Sequence, residues 1–325
     1  MADGPKTHDV IMIGAGPAAL SAAIYTTRED IDTVLFERGV VGGMAAITDR
    51  IDNFPGFPEG VPGLEFADKM RQQAERFGAQ IELGEVTRIQ ADVKAITDDG
   101  EYKRLETTEG EYLAKAILIA TGSDYRKLGI PGEKEYYARG VHYCATCDGA
   151  FYRDKRLVVV GGGNSAVQEA LFLTKFASHI DLLVRSDHMR ASDILQSDLA
   201  KKADKITVHF NTTTDEIVAE DGKVVKVVGT DKIKGQKVDF PTDGVFIFVG
   251  LVPNTQFLVG SKIDLDEQGF VKVDDKFATS MPGVFAAGDV RQGAMMQVVG
   301  ATGDGAGAAI SIREYLTELN RQTIE

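Results

Sequence analysis

VIMIGAGPAALSAAIY, residues Val10 to Tyr25, decides the fold of this chain: a β-branched run, a glycine turn, then alanine-rich helical spacing. The pattern returns at residues 158–172 as VVVGGGNSAVQEALF, preceded by Leu157. Each copy predicts strand, tight turn and helix, and such apolar strands bury both faces in a parallel sheet. Ala116–Gly122 (AILIATG) and Val245–Gly250 (VFIFVG) are a second echo, each an apolar strand ending in glycine downstream of its own turn. Polar hairpin material such as Glu101–Glu111 and Glu220–Lys237 fills the gaps. The last segment has a strand-like stretch, Gly283–Gly288, followed by Asp289, then small-residue spacing that settles into a helix over Ala308–Leu319. It has no glycine fingerprint of its own, so it completes the first domain. The expected architecture is α/β, with two Rossmann-like, three-layer dinucleotide-binding domains: a discontinuous one of residues 1–124 and 252–325, and a second of residues 125–251.

A chain of 325 residues accommodates two domains, and its 43% hydrophobic and 26% charged residues suit a soluble globular core. The formal charge of -13 gives no electrostatic support for binding nucleic acid or an anionic membrane. Met1–Asp9 is polar and does not read as a secretory signal, and no apolar run is long enough to span a bilayer. The two cysteines, three positions apart, are too few for a secreted disulfide scaffold. A cytoplasmic location is expected.

Gly14-Ala15-Gly16-Pro17-Ala18-Ala19 fits G-x-G-x-x-A directly after a strand. The first glycine permits the turn, the second lets a pyrophosphate approach the backbone, and the small third position lets helix and strand pack closely. Glu37, 23 residues beyond Gly14 at the end of the next strand, can accept hydrogen bonds from an unmodified ribose. In the second fingerprint, Gly161, Gly163, Asn164, Ser165 and Ala166 stand in the matching turn. There Val184 replaces the acid, followed by Arg185 and, five residues on, Arg190. Arginine in place of carboxylate is the change that a ribose 2′-phosphate demands, so NADPH is favoured over NADH for this site, against the alternative of two solvated surface arginines. By elimination the first site holds FAD or another adenine nucleotide.

Cys144 and Cys147 lie in VHYCATCDGAF, residues 141–151. C-x-x-C closes a small disulfide loop and can lower one thiol's pKa, which reads as a reversible redox pair. Structural zinc wants four ligands, and the five histidines include no suitably spaced pair near His142; an inert buried pair is the other alternative. Asp148, directly after Cys147, is placed to exchange a proton with a thiolate, or to form an Asp-Gly turn, or both. The cysteines and the second fingerprint share one domain and the first fingerprint belongs to the other. A relative domain movement, hinged near Ser123 and Val249–Pro253, is therefore expected.

With GAGPA, Gly42-Gly43, CATCDG, GGGNSA, VPNT and VFAAGDV in this order, the chain resembles the low-molecular-weight thioredoxin reductases throughout its length. The resemblance implies cytoplasmic homodimers in which NADPH reduces FAD, FAD reduces the disulfide, and the dithiol reduces thioredoxin. It implies that Cys147 faces the flavin, that Cys144 attacks thioredoxin, and that Asp148 is the acid. It further implies flavin-site roles for Gly14, Gly16, Pro17, Ala18, Glu37, Gly42, Gly43, Asn53, Ala120, Thr121, Gly122, Gly288, Asp289, Gln297 and Val298. A helix starting near Val298 would aim its positive end at the flavin ring. The chain departs from the family at Ser186, where a second arginine is usual, at Met44 in place of glutamine, and at Met296 in place of arginine. The first departure implies a weaker 2′-phosphate grip. A dithiol oxidase on the same scaffold, which needs no nicotinamide, sits poorly with the intact Gly161 turn and Arg185. Ferredoxin reductases of this fold lack the cysteine pair. A non-catalytic redox sensor is the rival from another class, separable by NADPH turnover.

Overall fold

The strand Lys6–Ile13 shows why its sequence is apolar on consecutive residues rather than alternately. Val10 and Met12 face a cluster with the helix Pro17–Thr27 and the C-terminal helix, while Ile11 and Ile13 face another with Val86, Ile89 and Leu105. With a side-chain period of two, a strand covered on both faces must be apolar at every position. In the computed structural model this strand lies between Thr33–Glu37 and Gly110–Ile119, with Gln80–Leu83 and Val284–Ala286 outside them, all parallel. Residues 5–48, 50–94 and 101–324 are described, and the polar start at Met1–Gly4 lies outside them.

Gly110–Ile119 has two partners of opposite sense. Its first half pairs antiparallel with Glu101–Thr107, and its length pairs parallel with Lys6–Ile13. The strand therefore begins six residues before the expected Ala116, because the return strand of the hairpin continues unbroken into the parallel sheet.

The second parallel sheet has the order Val141–His142, Gly244–Ile247, Arg156–Val160, His179–Leu183, Ile206–His209. The strands Thr212–Glu220, Lys223–Asp231 and Gln236–Pro241 form a separate antiparallel meander. Two compact units result: Met1–Asp124 with Val252–Glu325, and Tyr125–Leu251. The chain crosses between them through Ser123–Tyr125 and Leu251–Pro253, which pair with each other.

The last helix runs from Val298 to Ile324, ten residues earlier at its start than the small-residue spacing suggested. Glycine costs about 1 kcal/mol at a helix position, and this first stretch contains Gly300, Gly303, Gly305 and Gly307. Packing offsets the cost, since a Cβ on Gly305 would fall 2.0 Å from the Ala18 carbonyl oxygen. The glycines let this helix and Pro17–Thr27 approach backbone to backbone. Among the described residues no helix is long and apolar enough to cross a membrane.

Candidate functional site

The two fingerprint turns have the same construction. Gly14 N donates to Phe36 O at 2.7 Å, and Gly161 N donates to Leu183 O at 3.0 Å. These bonds make Glu37 and Val184 equivalent positions. At each first glycine the backbone has positive φ, +100° and +143°. A Cβ there would meet the carbonyl oxygen ending a downstream strand: Ala120 at 2.5 Å in the first turn, Phe248 at 2.3 Å in the second. At the second glycines, Gly16 and Gly163, no atom lies within 4 Å of the Cβ direction. Both have ordinary extended backbone, and each caps a helix, Pro17–Thr27 or Asn164–Leu173. The first glycine thus serves the fold, while the second leaves an open face at a helix N-terminus of the kind an anion uses.

Around the first turn, Glu37 accepts from Ala15 N at 2.9 Å through Oε2 and from Gly39 N at 2.7 Å through Oε1, so its carboxylate is drawn onto the turn. Gly42 N donates to Ala15 O at 2.7 Å, and the Cβ direction of Gly43 meets Gly16 Cα at 3.6 Å. Gly42 and Gly43 are therefore seated over the fingerprint, and Met44 follows them in the short helix Gly43–Ala46. Gly288 joins them, its Cβ direction 3.0 Å from the Ala18 methyl. Asn53 Nδ2 donates to Gln297 Oε1 at 3.0 Å, uniting two expected site residues 244 positions apart, just before the helix that starts at Val298. Thr121 and Gly122, which follow Ala120, are tied to Asn254 by three bonds: Thr121 Oγ1 to Asn254 O, Asn254 Nδ2 to Thr121 O, and Asn254 N to Gly122 O.

Asp289 is the electrostatic anomaly of this unit. Its Oδ1 is buried without a hydrogen-bond partner. Burial, and then the neighbouring Asp304 charge, push its carboxyl up to about 6. Asp304 itself accepts from Gly288 N at 3.1 Å and from Arg291 through Nε and Nη2 at 2.6 and 2.9 Å. A buried carboxylate oxygen lacking a donor is the partner that a hydroxyl-bearing ligand would satisfy. Sequence reasoning missed Asn254, Asp304 and Arg291; VPNT marks the first of them, but no local pattern marks the other two.

In the second unit, Ala166 closes against Gly161, where a Cβ would fall 2.7 Å from its methyl. The Asn164 side chain accepts from Ser192 N at 2.8 Å, and Ser165 is exposed on the same turn. Arg190 N donates to Gly162 O at 2.7 Å, fixing the loop after the second strand to the fingerprint. Val184 is buried, Arg185 and Arg190 are exposed, and Ser186 Oγ donates to the His188 carbonyl at 2.6 Å. Ser186 is thereby engaged within its own loop.

Cys144 and Cys147 form a disulfide with Cα atoms 5.3 Å apart. Cys144 caps the short helix Ala145–Asp148, its Sγ accepting from Cys147 N at 3.2 Å. Tyr143, one residue earlier, donates to Glu133 Oε1 at 2.7 Å, and Glu133 also accepts from Leu128 N and Gly129 N. Burial, with Glu133 beside it, holds the Tyr143 hydroxyl well above the usual phenol range. This anchors the strand that delivers the cysteines. Asp148 Oδ2 lies 3.1 Å from His142 Nδ1.

The chain matches the family model of pyridine nucleotide-disulphide oxidoreductases over residues 8–305. A thioredoxin reductase of Bacillus subtilis (strain 168) is 45% identical over 314 residues, which is 97% of this chain and 96% of that protein. One of Treponema pallidum (strain Nichols) is 40% identical over 312 residues, 96% of this chain and 98% of the relative. Among solved structures, the thioredoxin reductase from Streptococcus pyogenes MGAS5005 superposes with a TM-score of 0.87 at 41% identity, covering 97% of this chain and all of the other. The thioredoxin reductase from Giardia duodenalis gives 0.88 at 32% identity, covering 96% and 99%. Two fingerprint turns of one construction, a disulfide in the second unit, and likeness along nearly the whole length lead to one statement: the chain belongs to the pyridine nucleotide-disulphide oxidoreductase family.

Proposed function

We propose that this chain is an NADPH-dependent thioredoxin-disulfide reductase, a flavoenzyme whose Cys144–Cys147 pair passes electrons to the disulfide of thioredoxin. The observation that carries the reading is a C-x-x-C disulfide in the same unit as an arginine-bearing dinucleotide turn, in a chain similar over nearly its full length to thioredoxin reductases. Residues 1–124 with 252–325 are read as the FAD-binding domain, and residues 125–251 as the NADPH-binding domain.

The residues present fit FAD. Open backbone at Gly16 with Gly43 over it suits a pyrophosphate, Glu37 suits the adenosine ribose, and the partnerless Asp289 Oδ1 suits a polyol hydroxyl. Met44, Asn53, Ala120, Thr121, Gly122, Gln297 and Val298 are assigned to the same site. FAD, when bound, relays two electrons from the nicotinamide to the disulfide. In the second unit Gly161 shapes the turn, Gly163 admits the NADPH pyrophosphate, Asn164, Ser165 and Ala166 begin the helix beneath it, and Arg185 with Arg190 meets the 2′-phosphate. Ser186 supplies no charge there, so discrimination against NADH rests on the two arginines. Cys147 is assigned to exchange with the flavin and Cys144 to attack the partner disulfide. Asp148 gives a proton to one thiolate as the Cys144–Cys147 bond breaks and takes it back as the bond re-forms. Homodimeric assembly and a cytoplasmic location belong to the same proposal.

Anaerobic addition of NADPH to the purified yellow protein, followed by thiol counting, tests the reading. Bleaching with two new thiols, and turnover on adding thioredoxin, is the expected result. A metal held by the two sulfurs, or a colourless protein that FAD cannot reconstitute, would overturn it.

A further inference from the structure

We infer that His142 is a positioning residue for the Asp148 carboxyl, and that the two side chains share the proton exchanged with the cysteine pair. The inference rests on the role proposed above for Asp148 and extends it to a residue that no sequence motif marks.

His142 is buried, with 6% of its surface exposed, on the strand Val141–His142 two residues before Cys144. Both ring nitrogens are engaged: Nδ1 lies 3.1 Å from Asp148 Oδ2, and Nε2 lies 2.7 Å from the Tyr152 hydroxyl. Its ring stacks on Phe246 with centroids 5.1 Å apart and meets the edge of Tyr152 at 5.3 Å. Tyr152 is fixed in turn, because Gly244 leaves room for its ring; a Cβ there would fall 2.4 Å from it. A core histidine could be satisfied by any acceptor. This one has its Nδ1 3.1 Å from the carboxylate of Asp148, the residue that follows Cys147.

The groups facing His142 are few. Asp148 lies 3.1 Å from Nδ1 and the Tyr152 hydroxyl bonds Nε2, while Tyr137 is close enough to feel the Asp148 charge and Asp243 acts on Tyr152. Burial first, then the Asp148 charge, raise the hydroxyls of both Tyr137 and Tyr152, the latter to about 12 with Asp243 contributing. Tyr152 therefore stays a neutral hydroxyl. It donates to Nε2 of a neutral imidazole, which puts the ring proton on Nδ1, the side of Asp148, and it accepts from Nε2–H when the ring is charged. The chain thus tolerates either charge on His142.

When two electrons from the proposed NADPH reaction break the Cys144–Cys147 bond, two thiolates form. One takes a proton from the Asp148–His142 pair, which is left one proton short. When the dithiol reduces the partner disulfide and the bond re-forms, that thiol's proton returns to the pair. The pair is the acceptor for the thiol's proton, so removing the ring raises the pH at which the thiols ionise.

The test is the pH dependence of iodoacetamide alkylation of the reduced holoenzyme, for wild type, His142→Gln, His142→Phe and Tyr152→Phe. Flavin content and melting temperature report whether each variant folds. Glutamine keeps a donor for Asp148 but holds no titratable proton. The alkylation midpoint of His142→Gln is expected to rise by about 0.5–1 unit, that of His142→Phe by at least as much, and that of Tyr152→Phe by less. Should His142→Phe fail to fold, the other two variants carry the test. Superimposable curves for wild type and flavin-replete His142→Gln would overturn the inference. Absence of thioredoxin reduction by the wild type would instead refute the proposed function, while the alkylation curves would still report on His142.

Discussion

Replacing each glycine of the second fingerprint by alanine should separate folding from cofactor binding. In Gly161→Ala the new methyl meets the Phe248 carbonyl oxygen at 2.3 Å and the Ala166 methyl at 2.7 Å, on a backbone with φ of +143°. The backbone conformation costs on the order of 1–3 kcal/mol for a non-glycine residue, and forcing strand end and helix apart adds about 1–3 kcal/mol. A loss near 4 kcal/mol lowers the melting temperature of this unit by on the order of 10–15 °C. Gly163 has φ -95° and ψ 180°, an ordinary conformation, and nothing stands within 4 Å of its Cβ direction. Gly163→Ala should therefore cost at most about 1 kcal/mol, mainly as a poorer helix cap. Its methyl would occupy the space through which a pyrophosphate reaches the backbone, weakening NADPH binding roughly 10–100-fold, or about 1.4–2.8 kcal/mol. Thermal melts of the holoenzyme and anaerobic NADPH titration, followed by loss of flavin colour, measure the two effects separately. A Gly161→Ala protein as stable as wild type would refute the steric argument. Unchanged NADPH affinity in Gly163→Ala would show that the open face is not where the cofactor lies.

Cys147→Ser should still bleach with NADPH yet lose thioredoxin reduction, and unimpaired reduction in a coupled assay would remove the pair from the mechanism. Arg185→Ala should raise the KM for NADPH about tenfold, the loss of one charge-assisted contact, while leaving that for NADH within about twofold; equal effects in steady-state kinetics would make the side chain a surface residue. Asp289 gives a pH prediction whose sign follows from its raised carboxyl, about 6 against an ordinary 3.8. Between pH 4 and 6 the native state binds more protons than the unfolded state, so stability falls as pH rises and the penalty is complete above 6. In flavin-free protein, Asp289→Asn should therefore be more stable than wild type by about 3 kcal/mol at pH 8 and close to it near pH 4. Urea melts at both pH values check this, and a pH-independent difference would refute the linkage.

Some of the site was readable because its signals are local. A strand, a turn and a helix are set by residues a few positions apart, so the two fingerprints, the α/β class and the C-x-x-C pair announce themselves in short windows. The matching of Glu37 with Val184 was likewise fixed by counting from Gly14 and Gly161, and the bonds from those glycines to Phe36 and Leu183 put the two positions in register. The start of the last helix was less legible. Its glycines argue against a helix by propensity, and only the approach to Ala18 repays them.

Local stretches of the chain are thus enough to fix which elements form and which residue types stand at the turns. Tertiary structure alone decided the partners: Asn254 on Thr121, Asp304 on Arg291 and the Gly288 amide, Asn53 on Gln297, and His142 between Asp148 and Tyr152. Backbone dihedrals and side-chain periodicity act over a turn or a strand, so local sequence encodes them. A hydrogen bond between distant positions depends on sheet order and register, which the whole chain settles together when it buries its core.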